Sequence, residues 1–320
     1  MGGIEQIGEE DIGSSRSIRS LKVLMIAPTS FFSDYGGHIR IMEEALALKE
    51  LGHHIIVATY YKGRDLPGID IRRTAPIPYR VDYEVGSSRH KVVFDVYLAM
   101  KSLRVALKER PDIIHAHMHE GTLIGWVLSK LFRIPLVFDF QGSLTAEMID
   151  HNFLTHSSPF HRMIRRTERF INQRPDVILT SSNRSHHSLH YEYRVPMERL
   201  KSLPDCVDIE KFNQDRFTQS SKLEIRNDFG IDPNQVLVVY LGLLTDYQGI
   251  PYLLQAAQTL KTRGENVHFL IMGFPNVERY QAMANDLEIN DIVTFTGKIK
   301  YDDAPHLLSV GDIAITAKIS

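Results

Sequence analysis

The feature that most constrains this chain is the apolar run Val236–Gly242, which a short polar loop joins to a helical pattern. A continuous apolar run of this kind, rich in β-branched residues, predicts a strand that is buried on both faces of a parallel sheet. The helical pattern runs from Ile250 to about Arg263 and places three leucines and an alanine on one face. In such a strand–loop–helix unit, unpaired N–H groups of the first helical turn point at whatever lies beyond the strand.

A second unit of the same kind lies near the start of the chain. It consists of the apolar run Leu21–Ala27, a loop with Gly36 and Gly37, and a helical pattern from about His38. Strand and helix patterns alternate after each unit, and this alternation predicts parallel sheets with right-handed crossovers. We therefore predict an α/β protein with two Rossmann-like, doubly wound parallel-sheet domains that face a shared cleft.

The individual elements follow from the same patterns. In the first half, the predicted strands are 21–27, 54–60, 69–74, 112–115, 136–140 and 177–180, and the predicted helices are about 38–51, 92–109, 121–131, 160–173 and 184–191. In the second half, the predicted strands are 236–241, 267–272, 292–295 and 312–316. The pairs Pro111-Asp112 and Pro175-Asp176 are expected to end the preceding helices and turn the chain into a strand.

Four segments are predicted. Residues 1–20 are polar and form a disordered leader, and residues 21–200 form the first domain. Residues 201–233 lose the periodicity and form a linker, and residues 234–320 form the second domain. A doubly wound domain takes roughly 150 residues, so we expect this second domain to be truncated.

Composition narrows the class of partner and compartment. The formal net charge of −2 gives no basic field for nucleic acid, so no nucleic-acid partner is expected. Cys206 is the single cysteine, which excludes an internal disulfide and fits a reducing compartment. No apolar run approaches the roughly 20 residues that span a bilayer. We predict a cytoplasmic protein. A peripheral contact with the inner face of the membrane is left open.

That membrane contact would involve a basic amphipathic pattern that begins at Phe160. Four arginines, Arg162, Arg165, Arg166 and Arg169, cluster on one side of the predicted helix. Its other side is expected to carry the apolar residues Phe160, Met163, Ile164, Phe170 and Ile171. Such a helix can bind anionic lipid or a phosphate-bearing acceptor, and the alternative is a solvated helix packed on the sheet.

A histidine string follows the strand near residue 113. If the strand continued, a period of two would place His115, His117 and His119 on one face beside Glu120, as a metal cluster requires. Gly121 and the helix after it indicate that the strand stops near His117, so the three side chains should fan apart. We favour His117 and His119 as lining residues at the carboxyl end of the strand, and His115 as a core residue. A metal hydrolase remains an alternative.

Several spaced motifs are similar to those of one family of enzymes. The chain resembles the retaining, nucleotide-sugar-dependent glycosyltransferases of family four over nearly all of residues 21–320. The motifs are Gly36-Gly37, Leu51–Val57, Pro111–His117, Thr180–Ser182, Leu203–Asp208 with Phe212, Tyr240–Gly242 with Gln248-Gly249, Ile271–Gly273, Phe295–Gly297 and Gly311–Ala314. The resemblance implies two facing domains of the glycosyltransferase B type, the first binding the acceptor and the second the nucleotide sugar.

The resemblance also implies a reaction and a set of residues. A hexose-type sugar would pass from a nucleotide-diphosphate sugar to a hydroxyl of a glycan, lipid or small-molecule acceptor, with retention and without metal or cofactor. The catalytic residues would be His117, Asp139 and Gln141; the donor-binding residues Gly37, Gly242, Thr245, Gln248, Gly249, Gly273, Gly297 and Lys298; and the acceptor-binding residues His119, Glu147 and Ser182. Asp139 could instead cap the backbone amides of residues 142–146.

The sequence departs from the family pattern in three ways, and these departures weaken the expectation of sugar transfer. Leu243 and Gln248 occupy positions where relatives carry an Arg and a Lys that hold the donor diphosphate. Gln141 stands where many relatives carry His, and the family's acidic motif would lie just past Ser320. The alternatives are therefore an inactive, glycosyltransferase-like binding protein and a nucleotide-sugar epimerase of the same architecture.

Overall fold

A computed structural model describes residues 19–34, 36–76, 91–150, 153–155 and 157–318. These residues form two compact units. Unit 1 contains the residues up to Phe31 together with Ile41–Leu144 and Arg162–Ser202, and unit 2 contains Phe32–Arg40, Thr145–His161 and Leu203–Ser320.

The first sheet, in unit 1, has seven parallel strands. They are β1 (Lys22–Ala27), β2 (His54–Thr59), β3 (Asp70–Arg73), β4 (Ile113–His117), β5 (Leu136–Phe140), β6 (Val177–Thr180) and β7 (Leu200–Ser202). The helices along this part of the chain are α1 (Gly36–Glu50), α2 (Lys91–Glu109), α3 (Met118–Phe132), α4 (Leu144–Asp150), α5 (His161–Asn172) and α6 (Asn183–Tyr191).

The order of these strands is that of a Rossmann fold. It runs β3-β2-β1-β4-β5-β6-β7, so the direction of winding reverses between β1 and β4. In doubly wound sheets, ligands bind beyond the carboxyl ends of the strands at this reversal. In unit 1 that point lies beside Ala27 and His117, the last residues of β1 and β4.

The strands next to the reversal are apolar and buried, as the continuous runs predict. Leu24, Ile26, Ile114 and Ala116 all point to one side of the sheet and belong to a single core cluster, which side chains of α2 and α3 complete. A Cβ atom on Gly125 of α3 would lie within 3.3 Å of side chains on β4 and β5. The missing side chain therefore lets α3 approach the sheet closely.

The second sheet, in unit 2, has four parallel strands. They are β8 (Val236–Leu243), β9 (Val267–Phe274), β10 (Val293–Gly297) and β11 (Ile313–Ala314), in the order β10-β9-β8-β11. The helices here are α7 (Gln219–Asp228), α8 (Ile250–Thr262), α9 (Val277–Asp286) and α10 (Ala304–Ser309). The first four strands of unit 1 have the same arrangement, so both units are Rossmann-like.

Both faces of β8 and β9 are covered. On one face, side chains such as Tyr240 and Ile271 pack against Leu253 and Leu254 of α8. On the other, Val239 and Leu270 belong to a separate cluster with Val310. The opening prediction of a doubly buried strand is therefore confirmed, and so is the α/β fold with two parallel sheets.

The structure also contains elements that the periodicity missed. Strand β7 and helix α7 lie in or next to the segment 201–233, for which the sequence predicts a linker. Helix α7 is largely polar, and its anchor is the buried Arg226, which donates hydrogen bonds to the Val310 carbonyl (2.8 Å) and the Asp312 carboxylate (2.8 Å). A helix held by one buried arginine has no apolar stripe for a periodicity argument to find.

Two helices begin earlier than predicted. Helix α1 starts at Gly36, so Gly36 and Gly37 lie in its first turn and not in a loop before it. Helix α3 starts at Met118, which has a positive φ of 57°, directly after the end of β4. The predicted loop between strand and helix is therefore nearly absent at this point.

Three of the strands are preceded by an aspartate that binds the backbone of the neighbouring strand. Asp112, Asp176 and Asp312 each precede a strand, and each carboxylate accepts a hydrogen bond from a backbone N–H near the start of the neighbouring strand, at 2.7–2.8 Å. The amide of each aspartate in turn donates to the carbonyl of that same neighbouring residue, at 2.8–2.9 Å. Each aspartate thus fixes the relative position of two parallel strands.

We predict that removing one of these carboxylates lowers stability. Asp176→Ala takes away the acceptor for the Leu136 N–H, and the loss of such a hydrogen bond costs about 1 kcal/mol. Urea unfolding should show this decrease, with a smaller one for Asp176→Asn, which keeps an acceptor oxygen. Replacement of Glu50, an exposed carboxylate on α1, by Ala is the control. Equal stability of Asp176→Ala and the control would contradict this role.

A polar cluster lies between α2 and α3. The Tyr60 hydroxyl donates to the Asp95 carboxylate at 2.5 Å, and the Lys91 ammonium lies 2.5 Å from the Glu120 carboxylate. Burial raises the pKa of Asp95 to about 6, partly opposed by the Tyr60 hydrogen bond. The pKa of Glu120 is lowered: burial acts to raise it, but the Lys91 charge and hydrogen bond outweigh that effect.

The raised pKa of Asp95 makes stability depend on pH. Folding favours the protonated form of Asp95, because its pKa is about 6 in the folded state and about 3.9 in the unfolded state. The stability that this residue contributes at low pH is therefore lost as the pH rises through about 6. Asp95→Asn removes this dependence, so its gain in unfolding free energy over wild type should be about 1 kcal/mol larger at pH 8 than at pH 5. Urea titrations at the two pH values measure the difference. A gain that does not grow with pH would contradict the assignment.

Candidate functional site

The carboxyl edge of the first sheet brings three predicted catalytic residues together. His117 ends β4 and pairs in register with Asp139 on β5, and both side chains are 0% exposed. The His117 Nδ1 atom lies 3.1 Å from Asp139 Oδ2, and Gln141 Nε2 donates to the same oxygen at 2.8 Å. Partners in parallel register point to the same face, and this is why the two strands place these side chains in contact.

The carboxylate determines which nitrogen of His117 can accept a hydrogen bond. An ionised carboxylate is an acceptor only, so a neutral His117 that hydrogen-bonds to it carries its proton on Nδ1 and its lone pair on Nε2. The Nε2 atom is buried and has no hydrogen-bond partner within the described parts of the chain. A hydroxyl or a metal ion could satisfy it.

His115 stays with His117, contrary to the expectation that the histidines fan apart. Their rings stack with centroids 4.6 Å apart and an interplanar angle of 29°. His115 Nε2 lies 3.3 Å from the Glu44 carboxylate of α1, and His115 itself is buried, as predicted. Strand β4 continues through His117, so the period of two holds for this pair.

His119 departs from the pair because α3 begins at Met118. Its side chain is buried against the edges of Phe138 and Phe140, with Nε2 3.7 Å from Glu168 Oε1. Burial lowers the pKa of His119, and the Glu168 charge opposes this effect. His119 is buried in unit 1, as His117 is, and its contact with an acceptor stays a prediction.

Glu168 is a residue that the sequence analysis missed. It is 0% exposed on α5, and its carboxylate accepts the backbone N–H of Leu144 at 3.0 Å. It therefore holds the first turn of α4 and faces His119 at the same time. The available signal was its spacing, because Glu168 lies three residues before the buried Ile171 and so on the same helical face.

The apolar side predicted for α5 is buried only in part. Ile171 is buried, but Phe160, Met163 and Phe170 are exposed, and Glu168 and Asn172 take the buried positions. The four arginines are exposed as predicted. Two of them, Arg165 and Arg169, hydrogen-bond to Glu192 at the end of α6.

The remaining predicted acceptor residues are not assembled around one point in unit 1. Ser182 caps α6, because its hydroxyl accepts the Ser185 N–H at 3.2 Å. Glu147 lies on α4, in a segment that belongs to unit 2. Their contact with an acceptor stays a prediction.

In unit 2, the predicted donor residues other than Gly37, which lies in the first turn of α1, are at or directly after the carboxyl ends of β8, β9 and β10. Gly249 has a φ of 79° and starts α8, and a Cβ atom there would collide with the Ala317 carbonyl. Gly242 and Gly273 are partners in register, and a Cβ atom on Gly273 would collide with the Gly242 carbonyl. Gly297 has a φ of 74° at the end of β10. These glycines let backbone segments approach closely at this edge.

The loop between β8 and α8 is held firmly. Asp246 accepts hydrogen bonds from Tyr280 (2.9 Å) and Arg279 (3.0 Å), which lower its pKa. Leu244 donates to the Phe274 carbonyl and accepts from Asn276, at 3.0 Å each. The Thr245 hydroxyl in this loop is buried and has no hydrogen-bond partner among the described residues.

The loop at this edge lacks the two positive charges that an Arg and a Lys would give it. Leu243 ends β8 and Gln248 ends the turn 246–248, and neither side chain carries a charge. Lys298 follows β10, and its ammonium lies 4.7 Å from the centre of the Phe274 ring at the end of β9. A cation is therefore present at the carboxyl edge of the sheet, directly after β10 and not on the loop between β8 and α8.

The described helices include none long and apolar enough to cross a bilayer.

Comparisons with known proteins match both parts of the chain. Residues 36–211 match Glycosyltransferase Family 4, and residues 221–320 match Glycosyl transferases group 1. The chain is 23% identical to alpha-D-kanosaminyltransferase of Streptomyces kanamyceticus over 77% of its own length and 64% of that protein. It is 25% identical to D-inositol 3-phosphate glycosyltransferase of Corynebacterium glutamicum over 58% of its length and 45% of that protein.

A solved structure has the same fold. The Anabaena protein HepE in complex with UDP-glucose superposes with a TM-score of 0.68 at 16% identity, covering 92% of this chain and 73% of HepE. The chain thus spans less than two thirds of the two relatives above and about three quarters of HepE. With family matches across both parts and a fold of the glycosyltransferase B type, the chain belongs to glycosyltransferase family 4.

Proposed function

We propose that the protein transfers a hexose-type sugar from a nucleotide-diphosphate sugar to a hydroxyl acceptor, with retention of configuration and without a metal in the transfer step. The observation that carries the proposal is the carboxyl edge of unit 2. There, Gly273 and Gly297 lie at the carboxyl ends of β9 and β10, and Gly249 precedes α8, which begins directly after the loop that follows β8. A helix N-terminus with close backbone approach is suited to a diphosphate.

The donor diphosphate would be held mainly by backbone groups. The first turn of α8 supplies N–H donors and roughly half a positive charge, and Lys298 supplies a full one. The buried Thr245 hydroxyl can donate a further hydrogen bond. This set has fewer charges than the Arg and Lys of relatives, so we expect weaker donor affinity than in a site that keeps both.

The sugar chemistry would use the edge of unit 1. His117 Nε2 accepts a hydrogen bond from a sugar hydroxyl, while Asp139 fixes the imidazole and Gln141 fixes Asp139. As the bond from the anomeric carbon to the diphosphate breaks, positive charge develops on the sugar, and nearby carboxylate or amide oxygens stabilise it. The acceptor oxygen bonds to the anomeric carbon on the same face, and its proton passes to the departing phosphate.

The names of the similar proteins support a nucleotide sugar as the class of donor. HepE is described in complex with UDP-glucose, and both curated relatives are named as glycosyl-transferring enzymes. We take a nucleotide sugar as the donor class from this, and leave the acceptor at the level of a hydroxyl on a glycan, lipid or small molecule. The exposed arginines of α5 offer a place for an anionic acceptor or lipid headgroup.

A second candidate is a non-catalytic relative that binds a glycan or partner. Leu243 and Gln248 favour it, because they remove the two cations expected beside the diphosphate. The two candidates differ in whether a nucleotide sugar is consumed.

A panel of nucleotide sugars tests the proposal. At a concentration 100 times its Kd, the correct donor should stabilise the folded protein by about 2.7 kcal/mol, which a thermal shift detects. Incubation of that donor with candidate acceptors should then release nucleoside diphosphate and form an α-configured product from an α-configured donor. Stabilisation without turnover would favour the binding protein, and turnover of the donor to an isomeric sugar without acceptor would favour an epimerase. Absence of stabilisation by every donor would overturn the proposal.

A gain-of-charge variant tests the position of the diphosphate. Gln248→Lys should tighten binding of the nucleoside diphosphate about tenfold, since a hydrogen bond to a charged group contributes about 1.5–3 kcal/mol. Calorimetry at low and high salt should show that the gain shrinks with ionic strength. Gln255→Lys, an exposed position on α8, is the matched control for net charge. Equal effects of the two variants would place the diphosphate elsewhere.

A further inference from the structure

We propose that Glu44, His115 and His117 form a binding site for one divalent first-row transition metal ion, with Zn²⁺ as the probe. The inference goes beyond sugar transfer and rests on unit 1 alone. It differs from the three-histidine cluster considered in the sequence analysis, because a carboxylate of α1 takes the place of His119.

The three side chains converge from two elements. One potential ligand atom of each lies within 4.8 Å of those of the other two. His115 and His117 are two residues apart on β4, so their stacked rings share one face of the sheet, and Glu44 reaches them from the helix on that face. Metal–nitrogen and metal–oxygen bonds of about 2.0–2.2 Å bring ligand atoms somewhat closer together than this, so binding requires a small contraction.

The second argument is the orientation of His117. Its Nδ1 atom faces Asp139, which leaves the buried Nε2, without a hydrogen-bond partner among the residues that the structure describes, as the ligand nitrogen. A carboxylate that accepts the second ring proton of a metal-binding histidine fixes the tautomer and strengthens the ligand. Asp139 is in turn fixed by Gln141, so the nitrogen is already oriented for a ligand in the structure.

The donor set selects the class of ion. Two imidazoles and one carboxylate suit Zn²⁺, Co²⁺ or Fe²⁺ and are a poor match for Mg²⁺ and Ca²⁺, which prefer oxygen ligands. Both histidines and both carboxylate oxygens of Glu44 are buried, so an ion bound there lies in the interior of unit 1. Three protein ligands leave a position for water or another small ligand.

Metal binding and the proposed use of His117 in sugar transfer exclude each other. The imidazole has one lone pair on Nε2, which can accept either a hydroxyl proton or a metal ion. We therefore expect Zn²⁺ to inhibit transfer and chelator to restore it. The binding experiment below contains no sugar, so its failure leaves the proposed transferase function untouched, and failure of the transferase assay leaves the metal site untouched.

The test is titration of the chelator-treated protein with ZnSO₄ by calorimetry and equilibrium dialysis. One ion should bind per chain, and it should raise the melting temperature as its concentration exceeds Kd. His115→Ala and Glu44→Gln should each weaken binding about 100-fold or more, and Asp139→Asn about 10–100-fold through the loss of orientation. His187→Ala, at an exposed histidine on α6, is the control and should bind as wild type does.

A spectroscopic measurement on the unmodified chain guards against variants that fail to fold. Co²⁺ in this site should give the intense visible absorption of four- or five-coordinate nitrogen and oxygen ligation. It should give no thiolate charge-transfer band, since Cys206 is the single cysteine and takes no part. The proposal is overturned if no saturable binding occurs, if bound Co²⁺ has the weak spectrum of an octahedral aquo-like ion, or if His115→Ala binds the ion as tightly as the wild type does.

Discussion

The fixed register of parallel strands is the constraint on which the rest of this structure depends. Asp112, Asp176 and Asp312 each bind the backbone of a neighbouring strand through both carboxylate and amide, and so align the starts of two strands at once. Strands that start in alignment also end at the same edge. A shift of one residue would turn His117 away from Asp139, because successive side chains point to opposite faces.

The two carboxyl edges that result are chemically different. The edge of unit 1 carries buried ionisable groups in contact with one another, including the His117–Asp139 pair and the neighbouring His115 and Glu44. Buried polar groups of this kind are costly unless they are partnered, and here they contact one another. The edge of unit 2 carries glycines, backbone N–H groups and Lys298, which is a surface suited to an anion.

The histidine string illustrates how one backbone position changes the chemistry available. The positive φ at Met118 ends β4 and starts α3 without an intervening loop. As a consequence, His117 remains on the strand face with His115, while His119 turns inward against Phe138 and Phe140. Had the strand continued for two residues, His119 would have completed a three-histidine face. Instead, the third group is Glu44, from a helix 71 residues earlier in the chain.

The sequence by itself determined the alternation of strands and helices, the doubly buried strands and the presence of polar residues at their carboxyl ends. These follow from local patterns, since the period of hydrophobic residues and the Pro-Asp pairs act on the nearest elements. The tertiary structure alone decided which distant groups meet: Glu44 with His115, Glu168 with His119 and Leu144, and Arg226 with Asp312. Periodicity fixes the face on which a side chain lies, but packing between elements far apart in sequence decides what that face contacts.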